Sequence, residues 1–422
     1  MSLRLVLIAL TAACAPMIEA PQEAAPAPAE PVQRAEVQTP PPAASTGEYA
    51  SFEAWKEGFL SRHGGANRAA YERELAGLTP DPTVISRDRN QPEFSRPVGA
   101  YVTGAVTADR LSIGRQRMSE VTQLAAIEQR YGVPREILVG IWAQESAFGR
   151  IQGDMDVIRS LATLAHDGRR RDWAESQLKD ALDIVISGRA SRERLRGSWA
   201  GAMGQSQFMP DNYLRLAVDG DGDGRVDIWG SAPDALASAA NLLAQAGWKR
   251  GQGWAYEVRL PEGFDYALAE TDRQPWQVWA ARGITLTNGV VLNAAEAGEQ
   301  ASILLPQGAN GPAFLALPNH YVIRRYNNSV AYALAIGLLA DGMAGRPALT
   351  RSWPDEAPLS RDQRFDAQRA LQALGFDPGG IDGVIGAGTR RALRAYQQAR
   401  GITADGHLTA PLVERLRFEA GL

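Results

Sequence analysis

Residues Pro134 to Phe148 read Pro-Arg-Glu-Ile-Leu-Val-Gly-Ile-Trp-Ala-Gln-Glu-Ser-Ala-Phe. Apolar side chains at Leu138, Ile141, Trp142 and Phe148 follow the three- and four-residue spacing of a helix with one face in a core. Pro134 suits the first helical position, where its missing N–H costs nothing. Glu145 falls on that stripe, four residues after Ile141 and three before Phe148. A carboxylate there must be paired, protonated or open to a cleft. Burial raises a carboxyl pKa, and a raised pKa is what a general acid needs at neutral pH. The structural alternative is a glutamate satisfied by an arginine such as Arg150 or Arg159. On this helix alone, that alternative leads.

The helical spacing extends from near Ser51 to about residue 248, for example Val121-Leu124-Ala125 and Leu178-Ala181-Leu182-Val185. Residues 250–325 change character. Tyr256 to Leu260, Ile303 to Leu305, Ala313 to Leu317 and His320 to Ile323 are short and separated by Gly, Pro and Asn, and they read as strands of a small sheet. An apolar helix of about 11 residues is expected over Ser329 to Leu339, too short for a membrane span. Residues 344–359 hold Gly345, Pro347, Pro354 and Pro358 and read as a linker. The fold class expected is mainly α (α+β), a helical domain with a small β-containing subdomain and a small three-helix C-terminal domain.

Charge and composition exclude several functions. The 422 residues carry a net charge of −4 with mixed signs, which argues against a nucleic-acid binder. His63, His166, His320 and His407 are too scattered for zinc, and no organic cofactor is indicated. The lone Cys14 allows no intrachain disulfide. Arg4, the apolar run Leu5 to Ala13 and the small pair Ala12–Ala13 read as an export signal over residues 1–14. The string Leu10-Thr11-Ala12-Ala13-Cys14 resembles a bacterial lipobox, with Thr11 where leucine is usual. It predicts lipidation of Cys14 and a periplasmic, outer-membrane lipoprotein, touching the membrane only through that anchor. The alternative is plain secretion to the periplasm. Residues 15–48, rich in Pro, Ala and Glu, read as a disordered tether.

About 50 residues after Glu145 comes Gly201-Ala-Met-Gly-Gln-Ser-Gln-Phe-Met-Pro210, preceded by Ser198. Glycines spaced among polar groups let backbone and amides approach a ligand closely. With Trp142-Ala-Gln-Glu145-Ser and Tyr326-Asn327, this segment resembles the B-type lytic murein transglycosylases over about residues 50–342. The resemblance implies a lysozyme-like helical domain with a long glycan groove and Glu145 as catalytic acid and base. It implies substrate contacts from Ser198, Gln207, Tyr326, Asn327 and Tyr332. Trp173 is implied to line the groove where the family often has tyrosine, and Leu242 replaces another family aromatic. The implied chemistry needs one carboxylate rather than the usual pair. Glu145 protonates the oxygen between N-acetylmuramic acid and N-acetylglucosamine, then takes the proton of the C6 hydroxyl as a 1,6-anhydro ring closes. Asp154 and Asp156 lie off the stripe, in the loop that follows.

Asp219-Gly-Asp221-Gly-Asp223-Gly-Arg225-Val-Asp227 fits the start of an EF-hand loop, with acids at positions 1, 3 and 5 and glycine at 6. Three carboxylates so close repel unless a cation sits between them. Position 12 is Gly230, so Asp234 is expected to replace the usual glutamate, as the family's longer loop implies, and Arg225 to offer its carbonyl. The expectation is structural calcium; the alternative is an acidic turn with Asp234 as a helix N-cap.

Residues 360–422 repeat a loop-then-helix pattern through Leu374-Gly-Phe376, Ile381-Asp-Gly383, Thr389-Arg390, Tyr396-Gln397 and Asp405-Gly406. They resemble the peptidoglycan-binding module of cell-wall enzymes. The organisation expected is therefore a transglycosylase domain over 49–343, a linker and this module. The partners expected are peptidoglycan strands, with recruitment to a cell-wall synthesis or lysis complex. The rival functions are a hydrolytic muramidase and a non-catalytic wall-binding scaffold. A calcium sensor fails because there is one loop and no paired helix-loop unit.

Overall fold

The computed structural model describes residues 49–89, 96–269 and 272–422. Cys14 and the 15–48 segment lie outside them. The first helices are α1 (Phe52–His63), α2 (Arg68–Leu75), α3 (Pro82–Arg89), α4 (Val98–Ala105), α5 (Ala108–Glu120), α6 (Leu124–Tyr131) and α7 (Arg135–Ser146). A two-residue strand β1 (Met155–Asp156) precedes α8 (Val157–Asp167) and α9 (Arg171–Ile186), and pairs antiparallel with β2 (Arg196–Gly197). Helices α10 (Pro210–Leu216) and α11 (Ala232–Gln245) complete this run. Their apolar faces form one core with residues such as Trp55, Leu138, Ile158, Leu182 and Leu243.

The smaller subdomain holds β3 (Ala255–Arg259), α12 (Trp276–Ala281), β4 (Thr285–Leu286), α13 (Ala294–Gly298), β5 (Ser302–Leu304) and β6 (Ala313–Ala316), with the antiparallel order β4-β3-β6-β5. Period-two alternation divides its faces between two cores. Phe314 and Ala316 join the helical core, while Ala313 and Leu315 join a second cluster around Trp279 and Ile303. Every residue of β6 is therefore buried.

The chain returns to the helical core through α14 (Pro318–Tyr326) and α15 (Val330–Met343). The strand expected at His320 to Ile323 is instead the middle of α14. Pro318 occupies the start of the helix, and Asn319, Val322, Ile323 and Tyr326 are buried at helical spacing. β-branched residues gave the segment a strand-like look, and the burial period decided otherwise. Helix α15 runs four residues beyond the expected Leu339. A Cβ at Gly140 would stand 3.3 Å from the Ile336 carbonyl oxygen, so glycine lets α7 and α15 pass closely.

Residues 344–359, expected as a linker, form a strap bonded to the subdomain. Asn288 donates to the Ala348 carbonyl at 3.1 Å, and Glu257 accepts from the amides of Thr350 and Arg351 at 2.8 and 3.0 Å. Trp353 stacks on Phe314. The last helices are α16 (Arg361–Ala373), α17 (Ala387–Ala399) and α18 (Ala410–Ala420), around Leu371, Leu393, Tyr396 and Leu416. This unit meets the subdomain where Asp405 accepts from the Ala309 amide at 2.8 Å, and it meets the strap where His407 pairs with Glu356 at 2.9 Å.

Candidate active site

Helix α7 starts one residue later than the sequence suggests. Pro134 is its N-cap, with ψ of 139°, rather than its first helical residue. Leu138, Ile141 and Trp142 are buried as expected. The helix ends at Ser146, so Phe148 reaches the core by another route. Ala147, Phe148 and Gly149 have φ of 48°, 61° and 80°. Two non-glycine residues in the left-handed region cost about 1–3 kcal/mol each and persist where surrounding structure holds them. The holding contacts are visible: Ser146 Oγ donates to the Gln205 carbonyl at 2.7 Å and accepts from the Gly149 amide at 3.0 Å.

Glu145 therefore sits two residues before a strained turn, with only 2% of its surface exposed. The Tyr332 hydroxyl, on α15, donates to its Oε1 at 2.6 Å. Burial, followed by the charge of Glu145, holds the Tyr332 phenol well above its ordinary pKa, so it remains a donor across any working pH. The arginines considered as structural partners have other positions. Arg159 donates to the Thr79 carbonyl and pairs with Asp81, and Arg150 donates to the Ala147 carbonyl. Asp156 caps α8 and pairs with Arg192, which commits it to structure.

The glycine–methionine–glutamine segment folds back on itself through bridges Gly197–Met203 and Met203–Phe208. Met203 and Phe208 point into the core. A Cβ at Gly204 would lie 2.7 Å from the Ile228 carbonyl oxygen, and φ there is +66°, so both space and conformation require glycine. Gln207 also has positive φ, +47°. Its Nε2 donates to the carbonyls of Gly204 and Gln152 at 2.8 and 3.0 Å, which fixes the amide and leaves its oxygen as the acceptor. Ser198 Oγ accepts from the Ala202 amide at 3.0 Å. Tyr326 donates to the Ser206 carbonyl at 2.6 Å, which ties the end of α14 to this segment. Asn327, buried, caps that helix. Trp173 stands partly exposed on α9 with the Arg170 guanidinium 4.3 Å from its ring centre. Leu242 is buried in the helical core.

Gln205 was passed over in the sequence, although its own segment was singled out. It accepts from Trp142 Nε1 at 2.9 Å and donates to the Trp229 carbonyl at 3.1 Å, joining helix α7 to the loop before α11. Gln144, beside Glu145 in the motif, was also assigned no role. It donates to Tyr101 at 2.9 Å and accepts from Arg110 at 3.0 Å.

The acidic loop brings carboxylate oxygens of Asp219, Asp221 and Asp223 within 4.8 Å of one another. This all-oxygen set suits a hard divalent cation. Asp219 is held below its usual pKa, chiefly by the amides of Gly224 and Gly222. Asp234 is not gathered with them. It is buried, and its two oxygens accept from the amides of Gly220 and Asp227 at 2.8 and 2.6 Å. Nor is it the N-cap of α11; Ser231 is. Arg225 lies in the loop with its amide bonded to Asp223 at 2.8 Å.

The family model described as "Transglycosylase SLT domain" matches residues 51–341. The chain belongs to that family. A second model, "Putative peptidoglycan binding domain", matches residues 360–416. Over 225 residues the chain is 36% identical to membrane-bound lytic murein transglycosylase B of Escherichia coli (strain K12), covering 51% of this chain and 58% of that relative. SltB3 from Pseudomonas aeruginosa, solved in complex with NAG-anhNAM-pentapeptide, is 49% identical and superposes with a TM-score of 0.83, covering 87% of this chain and all of that one. Escherichia coli Slt35, solved in complex with calcium, is 30% identical with a TM-score of 0.60, over 68% of this chain and 92% of that one. Family membership accounts for the helical core with its small sheet. Among the described residues no helix is long and apolar enough to cross a membrane.

Proposed function

We propose that the chain is a lytic transglycosylase that cleaves the bond between N-acetylmuramic acid and N-acetylglucosamine in peptidoglycan and leaves 1,6-anhydro ends. The observation that carries this reading is the buried Glu145 with Tyr332 donating to it at 2.6 Å. A carboxyl held in place by a phenol donor is positioned to serve as general acid and then as base. Glu145 gives its proton to the glycosidic oxygen as the C1–O bond breaks. The substrate's N-acetyl group stabilises the cationic C1. The ionised Glu145 then takes the C6 hydroxyl proton while that oxygen bonds to C1, so no water is consumed. Tyr332 steadies the carboxylate between the two transfers. Ser198, Gln207, Tyr326, Asn327 and Trp173 line the sugar path in this reading, supported by the tie of Tyr326 and Gln207 to one rigid segment. SltB3's complex with an anhydro-sugar pentapeptide supports the same product class.

Asp219, Asp221 and Asp223, with the Arg225 carbonyl, hold calcium in this proposal. The support is the clustering of three acids and the calcium complex of Slt35. Asp234 orders the loop from behind through two backbone amides. The ion would clamp the segment that follows Gln207. Residues 360–422 hold the wall, and lipidated Cys14 anchors the enzyme at the outer membrane, facing the periplasm, within a cell-wall synthesis or lysis complex.

The deciding experiment is mass spectrometry of digested glycan strands. Products lacking one water support ring closure; hydrated products alone would show a hydrolytic muramidase. No lysis by the unaltered chain would leave only a wall-binding scaffold, and unchanged lysis by Glu145→Gln would remove Glu145 from the chemistry.

A further inference from the structure

Arg110 is a cation bonded to Gln144, the residue before Glu145, and among the described residues it has no anion of its own. It lies in the first turn of α5, partly buried. Its guanidinium donates to Oε1 of Gln144 at 3.0 Å and reaches the Ala105 carbonyl at 3.5 Å. Both partners are neutral, and among the described residues no carboxylate stands within ion-pair distance of it. Gln144 is only 3% exposed, immediately precedes Glu145, and commits its nitrogen to Tyr101, so its oxygen is aimed at Arg110. The contacts therefore fix the guanidinium without neutralising it.

A second cation adds to the field. Arg150 is presented by the left-handed turn that follows Glu145, exposed, with its Nε on the Ala147 carbonyl at 3.1 Å. Burial, opposed by Tyr101 and reinforced by the charge of Arg150, lowers the Arg110 pKa from its ordinary value. Arginine nevertheless stays charged at any working pH. Removing a guanidinium partly from water and placing it near another is unfavourable unless an anion arrives.

The geometry points to Arg110, assisted by Arg150, as a subsite for a carboxylate carried by the substrate, linked to the Glu145 helix through Gln144. This rests on the glycan-strand reading above. Such strands bear carboxylates in two places: on the lactyl group of muramic acid where a peptide has been removed, and on the acidic residues of intact peptide stems. Arg110 offers the planar fork that binds a carboxylate with two parallel hydrogen bonds. The subsite would make cleavage depend on what hangs from the sugar as well as on the sugar.

The test is steady-state kinetics of the full chain on three soluble substrates: strands with stems, strands stripped by an amidase so that the lactyl carboxylate is free, and strands whose carboxylates have been amidated. The unaltered enzyme should show its lowest KM on one of the two carboxylate-bearing strands, and which one identifies the source. Arg110→Gln should raise that KM about tenfold to a hundredfold, the loss expected for a charge-assisted hydrogen bond, and leave the amidated strand unaffected. Arg110→Lys should recover part of the loss. Exposed Arg150→Gln, which does not test folding, should raise the same KM by a smaller factor. Equal losses on all three strands in Arg110→Gln overturn the inference, as does a fall in kcat with a shifted pH profile and unchanged KM, which would mean action through Glu145. Equal KM for all strands in the unaltered enzyme overturns this inference alone. No cleavage of any strand overturns the glycan reading as well.

Discussion

The Tyr332 hydroxyl donates to Glu145 Oε1 at 2.6 Å across 187 positions of sequence, from one helix of the core to another. Helices α7 and α15 can bring the two together because Gly140 leaves room for the Ile336 carbonyl. The pair sets the first expectation. Glu145→Gln should lower strand cleavage by about 10²–10⁴-fold, the range for loss of a general acid-base group, with strand binding retained. Tyr332→Phe should lower kcat about tenfold or more, as one hydrogen bond to a charged group is lost. Because the phenol lies well above its ordinary pKa, Tyr332 contributes no alkaline limb, and the pH profile of Tyr332→Phe should keep its alkaline shape.

Calcium should raise the melting temperature by an amount that grows with its concentration above Kd. Asp221→Ala should abolish the rise. Asp234→Asn should lower the melting temperature even in chelator, because Asp234 serves backbone amides of Gly220 and Asp227 rather than the ion. Calorimetry with and without chelator separates the two.

His320 is fully buried, stacked against Trp254, and burial pushes its pKa down to about 3. The unfolded chain takes up this proton near the ordinary value of 6.5 and the folded chain does not. The stability tied to neutral His320 is therefore complete above pH 6.5 and lost as pH falls from there toward 3. Between pH 7 and 5 the loss is about 2 kcal/mol. Asp341, pushed up to about 6 by burial, acts with the opposite sign, gaining stability as pH falls through 6. Comparing His320→Phe with the unaltered chain cancels the Asp341 effect. Denaturant melts at pH 7 and 5 should show a smaller acid loss in the variant.

Trp353→Ala should loosen the strap. The indole stacks on Phe314 with ring centres 6.0 Å apart. Limited proteolysis within residues 344–359 should accelerate about tenfold if opening costs about 1.4 kcal/mol less, while the melting of the helical core changes little.

The sequence exposed Glu145 because a carboxylate on an apolar stripe is a local anomaly. It could not expose the route by which Phe148 is buried, since the left-handed turn at Ala147 and Phe148 is imposed by Ser146 and Gln205 from a distant segment. Strands β3, β5 and β6 were legible from short apolar runs between turn residues, whereas His320 to Ile323 misled because local β preference is weak against a helical burial period. The three loop acids were legible from spacing. The use of Asp234 was not, because a carboxylate that binds amides and one that binds metal have the same sequence. Arg110 carried no pattern, and Gln144, although inside the motif, gave no sign that its amide bonds Arg110 and Tyr101.

The strap has a consequence for how the two ends of the molecule share one strand. A floppy leash presents its cargo as a cloud of orientations, and capture then follows the statistics of linker length. Glu257, holding the amides of Thr350 and Arg351, turns this segment into a splint. On the function proposed above, a polymer held by the C-terminal unit would reach Glu145 at a set phase, like cloth fed past a needle, and the stitch length would be written in the fold.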